Sequence, residues 1–410
     1  MDFELPPMWP GSRQIDEAEE RAVVAALRRR CLYRYDVSPS QVQTVEQTLA
    51  ERVGMPWALA VNSGTSALWC ALVGLGIGPG DEVLVPAYTW IAVPNAVVLS
   101  GAIPVIVDVD ETLTVDPKDA KQKLGPATRA MIAVHMRGAP CRMDELVGLG
   151  AESSVLVVED VAQAPGGSHR GRPLGGLADA SAFSFQGYKV VTAGEGGMAL
   201  FRDRDVFLRA AALHDFDAPH YFGVSEADWA KRAFPSASLR MHELEAAVLS
   251  VQLGRLDATI SRMRERRTRL EARIADVVAR KGCRFRASAD SGGDIGSAAV
   301  VFLPDAERAR SVARALRAEG VTSAHVLFDP DVIDYHVYAY WSAILERRTP
   351  HGRPGPWVQA ARDLGYGAEM CPRATDLLSR ALHLDVNPEL ELGQVDRIAD
   401  AVRDVLEALA

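Results

Sequence analysis

The sequence predicts an α/β protein in which a large, doubly wound, mainly parallel sheet domain precedes a smaller α+β C-terminal domain. Two observations carry this. Between about residues 53 and 200, short continuous apolar runs alternate with longer amphipathic segments, as expected for strands buried on both faces and separated by helices. After residue 242 the pattern changes to one long helical stripe, two strands around a helix, and a last helix.

In order, the strand candidates are residues 59–61, 82–85, 103–107, 131–134, 155–158, 180–185 and 198–201, each apolar and too short for a helix. Helical segments such as 66–75 and 91–99 lie between them, which gives the crossover connections that parallel strands require. The run Gly74, Gly76, Gly78, Gly80 follows a helix and misses the dinucleotide spacing, so it reads as a helix stop and turn. In the second half, Leu244, Val248, Val251, Leu256, Ile260, Met263, Leu270, Ile274 and Val277 mark one helix over 242–280, with Gly282 as its stop. A strand at 298–303, a helix at 306–319 ended by Gly320, a strand at 321–326 and a helix at 394–409 complete the smaller unit. The domain division is placed at 1–250, including an N-terminal lid segment, and 251–410. Residues 329–367, rich in Tyr, Trp, Pro and His without periodicity, read as a long loop or short-helix insertion, a kind of segment that often carries function.

Composition excludes several function classes. With 48% hydrophobic and 24% charged residues over 410 positions, the chain is an ordinary globular protein rather than a disordered one. Its 45 Lys plus Arg against 54 Asp plus Glu give a net charge of −9, which disfavours a phosphate-backbone binder. The densest basic stretch, 262–273, has helical spacing and reads as a solvated face. The five widely spaced cysteines contain no C-x-x-C pair and fit a reducing cytoplasm. Residues 1–13 lack the pattern of a signal peptide, and no run approaches the ~20 apolar residues of a membrane span, so a soluble cytoplasmic protein is expected. Walker, H-E-x-x-H and G-x-S-x-G motifs are absent, and no metal site is expected.

Three segments at predicted strand ends together point to a pyridoxal phosphate site. The first, Asn62-Ser63-Gly64-Thr65-Ser66-Ala67-Leu68, joins a strand to a helix. A helix N-terminus offers unpaired N–H groups and partial positive charge to a phosphate, Gly64 allows close approach, and Thr65 and Ser66 add hydroxyls. Taken alone it reads first as an N-cap turn. The second, Val155 to Gln163, delivers Glu159 and Asp160 at the end of an apolar strand. A carboxylate against a pyridine nitrogen keeps it protonated and the ring able to accept carbanion electrons. Asp160 is the candidate, with Gln163 near the ring hydroxyl; the alternative is two acids capping the next helix. In the third, Ser184 ends a strand, Lys189 follows five residues later, and a Gly-rich turn leads into the next strand. A desolvated lysine loses its proton readily, attacks an aldehyde, and when released can carry a proton to or from the substrate carbon. A surface lysine is the alternative.

The motifs N-S-G-T-S-A-L, P-A-Y-T-W, V-E-D-V-A-Q-A, S-F-Q-G-Y-K and G-E-G-G, in this order, closely resemble the DegT/DnrJ/EryC1/StrS sugar aminotransferase family. The resemblance runs from about residue 46 to 253 and resumes near 371–409. It implies the fold-type I aminotransferase architecture and a homodimer whose active sites lie at the subunit interface. It also implies that Lys189 holds the cofactor covalently, that Asp160 pairs with the pyridine nitrogen, and that Gln163 lies beside it. Thr65, Ser66 and Ser184 would bind the phosphate and Trp90 would stack on the ring, although Trp90 alone would read as core. The chain departs from the family at Ser236-Ala237-Ser238-Leu239-Arg240-Met241, where Ser238 replaces an Asn that reaches the neighbouring subunit's phosphate. Arg240 and Glu243 still match.

Residues Leu32-Tyr33-Arg34-Tyr35 resemble the branch that aminates keto-sugars or keto-cyclitols, with glutamine or glutamate as donor, in antibiotic biosynthesis. His135, His214 and His220 are left outside the site, since a lone histidine is more often structural. Decarboxylation, elimination and carbon–carbon bond formation also use a stabilised carbanion and stay open at this level. Dehydratase relatives carry histidine in place of the lysine, so Lys189 speaks for amino transfer.

Overall fold

The computed structural model describes residues 11–36 and 38–409. The reading of 1–13 as free of a targeting signal falls mostly outside them. The strands are β1 (Trp57–Val61), β2 (Glu82–Pro86), β3 (Ile103–Val107), β4 (Thr128–Val134), β5 (Leu156–Asp160), β6 (Ser168–His169), β7 (Arg172–Pro173), β8 (Ala180–Ser184), β9 (Gly197–Phe201), β10 (Arg284–Phe285), β11 (Ala298–Phe302), β12 (Ala324–His325) and β13 (Ala381–Asp385). A seven-stranded sheet has the order β1-β9-β8-β5-β4-β2-β3. Its strands run the same way except β9, which is antiparallel to both β1 and β8. The reversal has a local cause. A loop without a helix joins β8 to β9, and such a connection can only return the chain antiparallel beside its predecessor. That loop carries Lys189.

Apolar strands explain why the sheet is covered on both faces. Helix Gly64–Gly74 packs on one side with Leu68, Ala71 and Leu72 against Ala182, Ala199 and Phe201. On the other, Gln41–Val53 and the start of the long helix Glu243–Arg280 meet Phe183, Met198 and Leu200. The long helix serves both units. Leu249, Leu253, Leu256, Ile260 and Met263 belong to the large sheet's core, whereas Leu270, Ile274 and Val277 belong to the smaller one. The sequence-placed division at residue 250 therefore falls inside this helix.

The smaller unit is a four-stranded sheet of order β10-β11-β13-β12, antiparallel at each pairing. Several features differ from expectation, β10 among them. The strand expected over 321–326 shrinks to β12, because Ala324 N–H turns back to the Val321 carbonyl (3.1 Å) just after the helix stop at Gly320. Strand β13, unforeseen, pairs with both β11 and β12; its His383 and Asp385 break the apolar run that marks a buried strand in sequence. Helices Glu17–Arg28 and Pro372–Ser379 were likewise not foreseen.

The 329–367 segment consists of short turns of helix, Tyr338–Tyr340, Ser342–Leu345 and Pro356–Gln359, within an irregular chain, as expected. It is anchored: Tyr338, Trp341 and Trp357 are buried against the main core. Thr89 N–H donates to the His336 carbonyl (2.9 Å), and Tyr338 N–H donates to that of Ala87 (2.9 Å). This fastens the segment beside the carboxyl end of β2.

Candidate active site

Parallel strands bring their carboxyl ends to one edge of a sheet, and ligands of open α/β sheets sit there. In this chain the residues following β1, β2, β4, β5 and β8 enclose a cavity of about 530 Å³ at that edge, with one wall from the smaller unit. The volume is ordinary for a small-molecule site.

The two acids ending β5 point to opposite faces, because side chains alternate along a strand. Glu159 is fully buried and accepts the amides of Gly175 (2.8 Å), Leu177 (2.7 Å) and Ala178 (3.0 Å). It also meets His135 Nε2 at 3.2 Å, while His135 Nδ1 accepts the Cys141 amide (3.0 Å), so the ring's proton lies on Nε2. Glu159 and His135 thus hold the scaffold, and Asp160 lines the cavity. Burial raises the Asp160 carboxyl above its ordinary range, opposed by the Ala162 amide (2.9 Å) and by the Lys189 charge.

Lys189 lies in the loop after β8, where its N–H donates to the Gln186 carbonyl (2.9 Å). Burial lowers its amine below the usual lysine range; Asp160 opposes this and the Arg137 cation adds to it. Condensation needs the neutral amine, so the rate at which the cofactor-free chain takes up pyridoxal phosphate should rise with pH and level off below the ~10.4 of a free lysine. Growth of the visible band, followed by stopped flow across pH 6–11, measures it; a midpoint at or above an ordinary lysine's would contradict a buried reactive amine.

One end of the cavity is built from the start of helix Gly64–Gly74. Ser63 is its N-cap, its Oγ accepting the Ser66 amide (3.1 Å), so the first turn opens into the cavity. A Cβ on Gly64 would stand 2.7 Å from the Ser184 Cβ, so only glycine lets the helix start lie against the end of β8. Gly64, Thr65 and Ser184 line the cavity. Ser66 does not, contrary to expectation: its hydroxyl donates to Asn62 Oδ1 (2.7 Å), and Ser63 takes its place in the wall. Ser238 is exposed and also lies outside the wall, in a bridge to Asp215.

Trp90, 44% exposed, stands at the mouth with its ring 4.8 Å from that of His336. Gln163 Oε1 accepts the Arg137 amide (3.0 Å), and its Nε2 lies 3.3 Å from His336 Nε2. The sequence singled out neither Arg137 nor His336. Arg137, with φ of 53°, follows β4 and places its guanidinium on Asp385 Oδ1 (2.8 Å) and His325 Nε2 (2.9 Å). Its position at a strand's carboxyl end was the available signal. His336 comes from the 329–367 insertion, where no periodicity could place it. His135, His214 and His220 lie outside the cavity wall.

These groups fit pyridoxal phosphate. A helix start with hydroxyls suits a phosphate dianion, a buried carboxylate suits a pyridinium, an amine of lowered basicity suits an aldehyde, and Trp90 offers a flat face at the mouth. When bound, this cofactor supplies an electron sink for a carbanion beside the substrate nitrogen.

Comparison with known proteins follows the same lines. Residues 13–353 match the DegT/DnrJ/EryC1/StrS aminotransferase family. The chain is 36% identical over 279 residues to 3-amino-5-hydroxybenzoate synthase of Amycolatopsis mediterranei, covering 66% of this chain and 68% of that protein. It is 38% identical over 217 residues to GDP-perosamine synthase of Caulobacter vibrioides, covering 52% and 56%. Among solved structures, 3-amino-5-hydroxybenzoic acid synthase superposes with a TM-score of 0.82 at 28% identity over 99% of both chains. DesV of S. venezuelae superposes with 0.76 at 29% identity, over 95% of this chain and 94% of that one. The chain belongs to the DegT/DnrJ/EryC1/StrS aminotransferase family and is a pyridoxal phosphate-dependent aminotransferase of the fold-type I architecture.

Proposed function

We propose that this aminotransferase moves an amino group from glutamine or glutamate to a ketone of a polyhydroxylated ring, a keto-sugar or keto-cyclitol, in amino-sugar or antibiotic biosynthesis. The observation carrying it is the single cavity that joins Lys189, Asp160 and the Gly64–Thr65 helix start, in a family whose relatives include synthases of an aminohydroxybenzoate and of GDP-perosamine. Lys189 Nζ would hold the cofactor and, once the incoming amine displaces it, move a proton to and from the substrate carbon. Asp160 would keep the pyridine nitrogen protonated. Gly64, Thr65, Ser184 and the neighbouring Ser63 would hold the phosphate, Trp90 would cover the ring, and Gln163 would meet its hydroxyl.

In this reading residues 1–250 chiefly hold the cofactor, and 251–410 close the cavity with Ser297, Asp385 and Val386. The working form is a homodimer with shared active sites, to which Ser238 contributes from the neighbouring chain. A cytoplasmic location fits the five thiols, all unpaired, and no helix among the described residues is long and apolar enough to cross a membrane.

The test is an absorption spectrum of the loaded protein before and after glutamine, glutamate or alanine, each added separately. The expected result is loss of the visible band, with release of the matching oxo acid, for glutamine or glutamate. A band that no amino donor converts would sink amino transfer from these donors.

A further inference from the structure

We propose that Asp334 and His336 form a positioning dyad that locks the Gln163 amide, so that it turns an N–H rather than an oxygen toward the cofactor's ring hydroxyl. The proposal rests on the cofactor placement given above. His336 Nδ1 lies 2.7 Å from Asp334 Oδ1, and a carboxylate can only accept, so Nδ1 carries the ring proton. The His336 backbone N–H reaches the same oxygen (2.9 Å), which holds the carboxylate in place.

Burial lowers the imidazole below its ordinary range; Asp334 opposes this, and the Arg137 and Lys189 cations facing it from the turn after β4 and the loop after β8 reinforce it. The geometry agrees: with Gln163 Oε1 taken by the Arg137 amide N–H (3.0 Å), the Gln163 amide nitrogen faces His336 Nε2, which accepts and so carries the lone pair of a neutral ring. At 3.3 Å that lone pair can accept only from the Gln163 amide nitrogen. On the other side, Gln163 Oε1 accepts the Arg137 amide N–H at 3.0 Å. Swapping oxygen and nitrogen of Gln163 would set donor against donor at Arg137 and acceptor against acceptor at His336. Both ends of the amide are thus determined, and its remaining N–H is left to the cavity it lines.

The dyad comes from the insertion, not from the sheet that carries Lys189 and Asp160. Its backbone is fixed by Thr89 N–H on the His336 carbonyl (2.9 Å) and by Trp341 Nε1 on the Tyr335 carbonyl (2.7 Å). The insertion therefore tunes the cofactor as well as closing over it. A donor beside the ring oxygen competes for that oxygen with the proton on the Lys189 nitrogen joined to the cofactor, which makes the proton easier to lose.

The experiment is a pH titration of the visible band in the full-length protein loaded with pyridoxal phosphate. His336→Ala frees the amide, and the midpoint should rise by about half a pH unit or more, the size expected for losing one oriented hydrogen bond to a charged group. Gln163→Ala should raise it similarly, and His336→Ala should add nothing on that background. His336→Gln, which returns an acceptor near the Nε2 position, should bring the midpoint back toward native. Should His336→Ala fail to take up cofactor, Asp334→Ala, which releases the tautomer, should give the same upward shift at smaller size. An unmoved midpoint in every His336 and Asp334 variant that loads, or an equal shift with and without Gln163, overturns the dyad. A native protein with no visible band instead removes the cofactor placement beneath it.

Discussion

Lys189→Ala is expected to abolish turnover, with kcat falling by about 10⁴-fold or more and the visible band lost. The size follows from two functions in one atom. In the proposed reading Nζ would be the nucleophile toward the cofactor aldehyde and, after its release, the proton carrier, a role worth ~10²–10⁴-fold by itself. Burial in the cavity lowers its basicity. Steady-state rates with the best donor, beside the absorption spectrum and a thermal melt, make the measurement. Lys189→Arg separates charge from chemistry: it keeps a cation near Asp160 but offers no comparable nucleophile, and it should be as inactive as the alanine variant. Turnover within tenfold of native in either variant would remove Lys189 from the reaction.

Asp160→Asn should lower kcat by about 10²–10³-fold while pyridoxal phosphate still binds, the range seen when one preorganised electrostatic partner is removed from a dry site. The substitution is nearly isosteric, and its oxygen can still accept the Ala162 amide that Asp160 holds at 2.9 Å. Only the charge changes. With it, in the proposed reading, would go the stabilisation of a proton on the pyridine nitrogen and hence the capacity of the ring to take up electrons. A second readout follows from sign. Asp160 supports the charged form of Lys189, so the neutral amide should move the pH midpoint of cofactor uptake further down. A kcat within threefold of native would reduce Asp160 to a cap on the turn at Ala162.

The large sheet was legible because its strands are nearly pure apolar runs, such as Ile103–Val107, bounded by helix starts and glycine stops. The smaller sheet was only half legible. Strand β13 carries His383 and Asp385, which are buried by the neighbouring strands and by Arg137, contacts that no local pattern announces. The same distinction runs through the site. Gly64, Thr65, Asp160, Ser184 and Lys189, all of which line the cavity, could be named because each ends or follows a predicted strand, where backbone direction alone brings it to the sheet edge at which ligands of such folds sit.

The sequence by itself determined the fold class, the family and the cofactor that the family implies: a lysine, an acid and a helix start at three strand ends of an α/β sheet, in the order of one aminotransferase family. The tertiary structure decided which atoms face the cavity. It set Glu159 into the scaffold and Asp160 into the site, turned Ser66 onto Asn62 and left Ser63 in the wall, and carried His336 and Arg137 to opposite ends of the Gln163 amide. The reason is physical. Periodicity and turn residues report the path of the backbone, which is local. The direction of a side chain and its distant partners depend on packing between segments far apart in the chain, such as Gln163 and His336, which only the folded molecule brings within hydrogen-bonding distance.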